Sequence, residues 1–346
     1  MDGGPATLAA VAELAGVSLA TASRVVNGSA RKVGPELEQR VRAASVQLGY
    51  VVDARAQAMA LGADQTVALI VGDIADPYFS GIAAGLISAS SERGLMVTLI
   101  ATGNDPDGEI RAVKTLRSQR PRAIVLAGSR RDDQPRAALL DAELSAYEKR
   151  GGHIAFVGSL PEDDPADRTS RGLVEVHNRA GAAELGCRLT DLGYENFVVM
   201  AGPAAAVTPR ERVRGFINGI SSSARPIPLA ALMPTELSRD DTYHATRILL
   251  RDPLPPRTCV FAVTDAMALG VMTAVRDEGL RPGRDVGVAG FDDIMLLRDV
   301  IPNLTTVAIP LPEIGRRALG AALGENELLS PVEAHVVIRE STPRIS

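Results

Sequence analysis

Residues 7–28 read T-L-A-A-V-A-E-L-A-G-V-S-L-A-T-A-S-R-V-V-N-G, a string that predicts two short helices around a tight turn. Thr7 is a good N-cap, and Leu8, Val11, Ala12 and Ala15 follow at helical spacing. Gly16 stops this helix, because a glycine tolerates the left-handed conformation that closes a helix end. Ser18 then caps a second helix whose apolar face is Ala22, Val25 and Val26, with Leu19, Ala20, Ser23, Arg24 and Asn27 turned away from it. A third helix, Glu36 to Leu48, is expected to direct Leu37, Val41, Ala44 and Leu48 inward and complete a three-helix core. Such a helix-turn-helix places its second helix in the major groove of DNA.

Charge adds little to this reading. The 346-residue chain has a net charge of −5. Residues 1–62 contain six cations (Arg24, Arg31, Lys32, Arg40, Arg42, Arg55) and five acids (Asp2, Glu13, Glu36, Glu38, Asp53), so that segment is +1 and the remainder −6. Binding to DNA therefore rests on the motif and not on a basic surface. Cys187 and Cys259 stand alone in apolar stretches, which excludes a CxxC metal site and a disulfide framework and fits two small buried hydrophobes in a reducing cytoplasm. No basic start followed by an apolar run marks a signal peptide, and runs such as VALIV at 67–71 are too short to span a bilayer.

Beyond residue 66 the chain alternates β-branched runs with helical stretches. The expected strands are 67–72, 96–101, 123–128, 153–158 and 172–177, then 197–202, 227–233, 258–264, 286–291, 304–309 and 334–339. Helices are expected over Tyr78–Arg93, Asn178–Leu192 and Ala266–Glu278. This alternation argues two parallel α/β lobes, with a ligand cleft beyond the carboxyl ends of their strands.

The string A-G-V-S-x-x-T-x-S-R-V-x-N-G at 15–28 closely resembles the DNA-binding domain of the LacI/GalR family of repressors. D-P-Y-F (76–79), N-R-A-G-A (178–182), R-V-R-G-F (212–216), T-D-A-M-A-L-G (264–270), G-F-D-D (290–293), P-N-L-T-T-V (302–307) and E-S-T (340–342) resemble that family's sensor in the same order, over nearly the whole chain. The resemblance implies an N-terminal all-α helix-turn-helix headpiece (1–52), a hinge helix (53–65) and a two-lobed, periplasmic-binding-protein-like α/β sensor (66–346) with two parallel Rossmann-like sheets. Lobe 1 is expected over about 66–176 and 309–325, lobe 2 over about 177–306 and 327–341. It also implies a cytoplasmic homodimer on a pseudo-palindromic operator, since no tetramerising heptad tail follows, and no membrane partner, catalytic group, metal or cofactor.

Residue by residue, the resemblance places Thr7, Ser18, Leu19, Ala20, Thr21, Ser23, Arg24, Asn27 and Met59 at the DNA. Thr21 and Ser23 are expected on phosphates, Arg24 on base edges with guanine favoured, and Met59 as an apolar wedge in the minor groove. Leu19 and Ala20 are apolar and form no bidentate hydrogen bonds to bases. Where relatives often hold arginine around the wedge, this chain has Gln57, Ala60 and Ala63, which implies a shallower salt dependence.

The effector site is expected to comprise Tyr78, Phe79, Ser129, Arg212, Leu237, Thr264 and Asp292, with Arg212 and Asp292 alternatively forming a structural salt bridge across the cleft. Asp265 and Asp293 are expected to cap the helices that follow them. Gly158 stands where relatives often have Asp, Thr264 where Asn is usual, and His177 where Asp precedes the Asn-x-x-Gly string. The effector is therefore read only as a small polar molecule, sugar-like or nucleoside-like, with a purine corepressor suggested by a stacking Tyr78–Phe79 pair. A sugar-transport protein would share both lobes but not residues 7–62. The four scattered histidines, and the absence of G-x-S-x-G or P-loop strings, argue against an enzyme.

Overall fold

The computed structural model describes residues 6–26, 33–50, 65–159, 171–223, 227, 229–325 and 330–345. Asn27, Met59 and most of the 53–65 segment lie outside the described residues. The chain divides into two compact units, Met1–Gln65 and Thr66–Ser346.

In the first unit, α1 (Leu8–Ala15), α2 (Leu19–Val26) and α3 (Pro35–Leu48) enclose a core of Val11, Ala12, Ala15, Ala22, Val25, Val41 and Ala44. The Thr7 hydroxyl accepts from the Ala10 amide at 3.2 Å and the Ser18 hydroxyl from the Thr21 amide at 3.1 Å, so both helices begin on side-chain caps. Between them Gly16, at φ 62°, returns its amide to the carbonyls of Ala12 and Glu13, and the chain bends by 107°. A side chain there would also meet Arg40, whose Nη2 donates to the Ala15 carbonyl at 2.5 Å. Leu37 and Leu48 do not point inward as expected; they are 36% and 37% exposed. A 14-residue α3 is about 21 Å long against about 12 Å for α1 or α2, so its ends overreach the helices that could cover them.

In the second unit, the first sheet comprises β1 (Thr66–Val71), β2 (Met96–Ala101), β3 (Ala123–Ala127), β4 (His153–Val157) and β5 (Gly172–Val174), in the order β2-β1-β3-β4-β5 and parallel throughout. Alternation along β1 separates its two faces. Val67, Leu69 and Val71 pack with α4 (Pro77–Glu92) and the late helix α11 (Leu311–Ala322), whereas Ala68 and Ile70 pack with α5 (Pro106–Gln119) and α6 (Gln134–Glu148).

The second sheet comprises β6 (Asn196–Met200), β7 (Leu229–Met233), β8 (Thr258–Ala262) and β9 (Gly287–Ala289), ordered β7-β6-β8-β9 and again parallel. Helix α7 (Asn178–Asp191) packs on α8 (Val207–Ser222), and α9 (Arg239–Leu249) on α10 (Asp265–Asp277). The runs 304–309 and 334–339 do not extend this parallel series. Their centres, β10 (Thr306–Ala308) and β11 (His335–Val337), form an antiparallel ribbon, tied to the end of the second sheet by the bridges Ala289–Thr305 and Asp292–Ala308.

Two capping expectations also change. Thr264, not Asp265, caps α10 by accepting from the Met267 amide at 3.2 Å. Asp265 is fully buried and accepts from the Thr306 hydroxyl at 2.6 Å and the Ile294 amide at 3.0 Å, so tertiary partners take a side chain that local chemistry would have used as a cap. Asp293 pairs with Arg339 at 2.7 Å, and the 3-10 turn Met295–Asp299 has no side-chain cap. Cys259 is buried, whereas Cys187 is only half-buried. Among the described residues no single helix is long and apolar enough to cross a membrane.

Candidate DNA-reading helix and effector cleft

On α2 the inward residues Ala22 and Val25 leave Leu19, Ala20 and Arg24 exposed, with Thr21 and Ser23 at the margin. Leu19 is 54% exposed at the helix start, the part of such a helix that meets base edges. The Thr21 hydroxyl shares a 2.9 Å hydrogen bond with Ser18.

The seven expected effector residues converge. Tyr78, Phe79, Ser129, Arg212, Leu237, Thr264 and Asp292 all line one cavity whose empty volume, partly open to solvent, is about 1240 Å³. Each stands at the carboxyl end of a strand or the first turns of the helix after it, the position at which parallel sheets present side chains to ligands.

Arg212 sits in the second turn of α8 and is 3% exposed. Its Nε donates to Asn178 Oδ1 at 2.9 Å, its Nη1 to the Val263 carbonyl at 2.7 Å, and its Nη2 to Asp292 Oδ1 at 2.8 Å. The guanidinium also lies 3.8 Å from the centre of the Phe291 ring. The pair is thus a salt bridge inside the second lobe and does not cross the cleft. Burial pushes the Asp292 carboxyl well above its ordinary range while the Arg212 charge pulls the other way. Asp292 Oδ2 accepts no hydrogen bond among the described residues, and the carboxylate lines the cavity.

Opposite this pair, Asp76 caps α4 through a 2.9 Å bond from the Tyr78 amide, and burial raises its pKa. The Tyr78 and Phe79 rings meet edge to face at 5.0 Å and 79°, and Phe79, only 8% exposed, belongs to the first lobe's core. Both line the cavity as part of its apolar wall. Thr264 keeps its hydroxyl at the cavity while capping α10, and Leu237 supplies an apolar patch. Gly158 adopts φ 112°, a conformation that side-chain-bearing residues rarely take, so its backbone suits glycine; a Cβ there would lie in ordinary contact, 3.4 Å from Thr208 Oγ1.

Several lining residues were not anticipated: Asp76, Asn104, Glu109, Arg130 and Thr208. Two carried a readable signal. Asp76 opens the D-P-Y-F string, and Thr208 precedes Arg212 by four residues on one helix, hence on the same face. Among the described residues no group of three or more His, Cys, Asp or Glu side chains is placed to hold a metal ion.

Residues 7–53 match the model of bacterial regulatory proteins of the lacI family, and residues 187–342 match that of a periplasmic binding protein-like domain. The chain is 31% identical to the HTH-type transcriptional regulator CelR of Thermobifida fusca, over 97% of this chain and 98% of that one. Its structure is similar to that of the lac repressor dimer bound to operator and the anti-inducer ONPF, with a TM-score of 0.81 at 25% identity, covering 98% of this chain and all of the other. It is also similar to a CelR–cellobiose complex, with a TM-score of 0.67 at 30% identity over 97% and 99% of the two chains. By its helix-turn-helix, its two-lobed sensor and its similarity along the whole chain, this protein belongs to the lacI family of DNA-binding transcriptional regulators.

Proposed function

We propose that the protein is a cytoplasmic repressor that binds a pseudo-palindromic operator as a dimer and responds to a small neutral, polyhydroxylated effector in the cleft. The headpiece is assigned to residues 1–52, the hinge to 53–65, and the sensor to 66–346, with lobe 1 over about 66–176 and 309–325 and lobe 2 over about 177–306 and 327–341. In the headpiece Leu19, Ala20 and Arg24 read bases while Thr7, Ser18, Thr21 and Ser23 hold the backbone, and Asn27 and Met59 complete the DNA contacts.

The observation that carries the effector class is the Arg212–Asp292 pair. A free arginine fork would favour a carboxylate or phosphate. Here the guanidinium is occupied by Asn178, Val263 and Asp292, so an anion would have to displace a buried carboxylate. A neutral hydroxyl can instead donate to Asp292 Oδ2 and accept from the remaining arginine hydrogens without breaking the pair. The relative solved with cellobiose and the lac repressor structures are consistent with a ligand of this kind.

Regulation follows from population shift. An effector that prefers one inter-lobe arrangement changes the fraction of dimers whose hinges suit the operator, and bound operator must alter effector affinity by the same factor. The test is selection of a binding site from randomised duplex DNA, followed by competition of the bound complex with neutral sugars, sugar phosphates, nucleosides and purines. A neutral sugar that changes operator affinity supports the reading. Response to sugar phosphates or purines alone sinks the effector class, and failure to enrich any duplex sinks the DNA assignment.

A further inference from the structure

Cations are not spread evenly over the sensor. Both of its sheets direct the carboxyl ends of their strands at the cavity, where Val71, Ala127 and Val157 of the first lobe meet Thr264 and Asp292 of the second. The amino ends of the two sheets therefore form opposite ends of the sensor. At the first lobe's end, Thr66, Arg122 and His153 stand side by side at the starts of β1, β3 and β4. The Arg122 amide donates to the Thr66 carbonyl at 2.8 Å, and the His153 amide to the Arg122 carbonyl at 3.3 Å.

Four exposed cations gather there. Arg120 closes α5 at φ 55°, two residues before Arg122, while Lys149 and Arg150 follow the last turn of α6. The Tyr147 hydroxyl donates to the Pro121 carbonyl and so ties that turn to the loop carrying Arg120 and Arg122. Gly152 lets the chain close over the Tyr147 ring, because a Cβ there would collide with it. Among the described residues none of the four cations has an ion pair. The neighbouring acids are taken instead: Glu143 by Arg117 at 2.6 Å, Glu325 by Arg93 at 3.0 Å, and both Glu148 and Asp141 by Arg171 at 2.8 and 2.6 Å. With Glu92 at the end of α4, this end carries seven cations against five acids, a local excess of positive charge on a sensor that is strongly negative overall. Helix C-termini favour basic neighbours, which accounts for Arg120 and Lys149 but not for Arg122, which precedes a strand. The opposite end is balanced: Arg257, just before β8, pairs with Glu195 at 2.8 Å, and Arg281 with Asp285 at 3.2 Å.

Thr66 is also where the chain passes to the headpiece. Residues 1–62 carry a charge of only +1, and residues 53–65 hold one cation, Arg55, against Asp53 and Asp64. Affinity for duplex DNA comes largely from cations that displace the counterions of its phosphates. A headpiece and hinge so near neutrality supply little of this term. An edge of unpaired arginine and lysine, joined to the headpiece through 53–65, supplies it.

From the position of these unpaired cations at the end of the sensor that begins with Thr66, we infer that the sensor's first lobe itself binds DNA, with Arg120, Arg122, Lys149 and Arg150 on backbone phosphates of the duplex that the headpiece reads. This rests on the DNA-binding assignment and adds a second contact to it. The contact raises affinity without base preference, since cations on phosphates carry no sequence information.

The test measures the affinity of the full-length protein for duplex DNA over a salt series, with duplexes extending about two helical turns beyond the selected site on each side. Arg120→Gln/Arg122→Gln/Lys149→Gln/Arg150→Gln should make log affinity fall less steeply with log salt. The slope should drop by roughly two for each position that meets a phosphate, because each substitution removes one cation from both protomers. Specific and non-specific duplexes should lose affinity by the same factor, and the melting temperature should hold because all four side chains are exposed. Arg120→Lys/Arg122→Lys/Arg150→Lys keeps the charge and should keep the slope. Arg251→Gln/Arg284→Gln, exposed on the second lobe, should also leave it unchanged. An unaltered slope in the quadruple variant overturns the inference. So does an equal loss per charge from Arg251→Gln/Arg284→Gln, which would make the effect one of net charge alone. A parent protein that binds no duplex rejects the DNA assignment together with the second contact.

Discussion

Ser129 Oγ, just beyond β3, accepts a hydrogen bond from the backbone amide of Thr208 in the first turn of α8 at 3.0 Å, and this bond joins the two lobes. It is one stitch of a seam. Arg131 and Ala206 form an antiparallel bridge, the Asp132 amide donates to the Ala205 carbonyl at 2.8 Å, and the Val207 amide donates to the Arg130 carbonyl at 2.9 Å. Arg210 closes the seam with an ion pair to Asp132 at 2.9 Å. The loop after β3 thus holds the start of α8, the helix that carries Arg212.

Breaking the seam should affect sensing more than stability. The Arg210 and Asp132 side chains are 25% and 48% exposed, and a pair so open to water contributes at most about 1 kcal/mol. Asp132→Ala is therefore expected to leave the urea midpoint nearly unchanged. It should weaken effector binding several-fold, because fewer molecules hold the bridged arrangement. Effector titration and urea melts on the same protein decide it; an unaltered effector affinity would remove the seam from the mechanism.

Arg212 cannot be tested by simple truncation. Arg212→Ala leaves the Asp292 carboxylate buried without its partner and takes donors from Asn178 and Val263. Removing one member of a buried pair costs about 3–5 kcal/mol, so the variant should unfold early as well as lose effector binding. The double variant Arg212→Met/Asp292→Leu should recover much of that stability and still fail to bind effector. A double-mutant cycle in urea separates the two effects. Equal stability losses in the single and double variants would count against a buried pair.

Asp265 gives the sensor a pH dependence of defined sign. Burial raises its pKa to about 7, with hydrogen bonds from Thr306 and Ile294 opposing. The folded-state pKa lies above the unfolded value of about 3.9, so the folded protein holds the proton more tightly. Its contribution to stability is complete below about pH 4 and is lost as pH rises through about 7. Asp265→Asn keeps a neutral group that accepts from the Ile294 amide and donates to the Thr306 hydroxyl. Relative to the parent protein, this variant should gain stability between pH 5 and 8, as measured by urea midpoints at the two values. A parallel pH dependence in both proteins would show that Asp265 does not carry the effect.

Local chemistry explains why much of this could be read in advance. Thr7, Gly16 and Ser18 act through neighbours within a few residues, and their caps and turn are as expected. The residues at strand ends converge because parallel sheets gather those ends on one edge. What escaped was decided by distant partners. Thr264 and Asp265 are equally competent caps in sequence; contacts to Ile294 and Thr306, 29 and 41 residues away, assign their roles. The Ser129–Thr208 bond spans 79 residues, and Glu109 faces the cavity only because α5 and α6 flank the same strand ends. Periodicity likewise marks Leu37 and Leu48 as apolar but does not reveal that no helix reaches them.

Two arginines of the headpiece should separate reading from folding. Arg24 is exposed on α2 and is assigned to base edges, whereas Arg40 on α3 donates to the Ala15 carbonyl at the end of α1. Arg24→Ala should leave the headpiece intact and cost about 1–3 kcal/mol of binding at one base pair of the selected operator, relaxing preference there. Arg40→Ala should do the reverse, destabilising the headpiece by about 1–2 kcal/mol through loss of a charged bond at a helix C-terminus. Hydrogen exchange of the α1 amides should accelerate in the second variant and not in the first. Base preference, measured by competition with single-substituted operators, should broaden in the first variant and not in the second. If Arg24→Ala lowered affinity equally for every duplex, its contact would be to phosphate, and the base reading would pass to Leu19 and Ala20 alone.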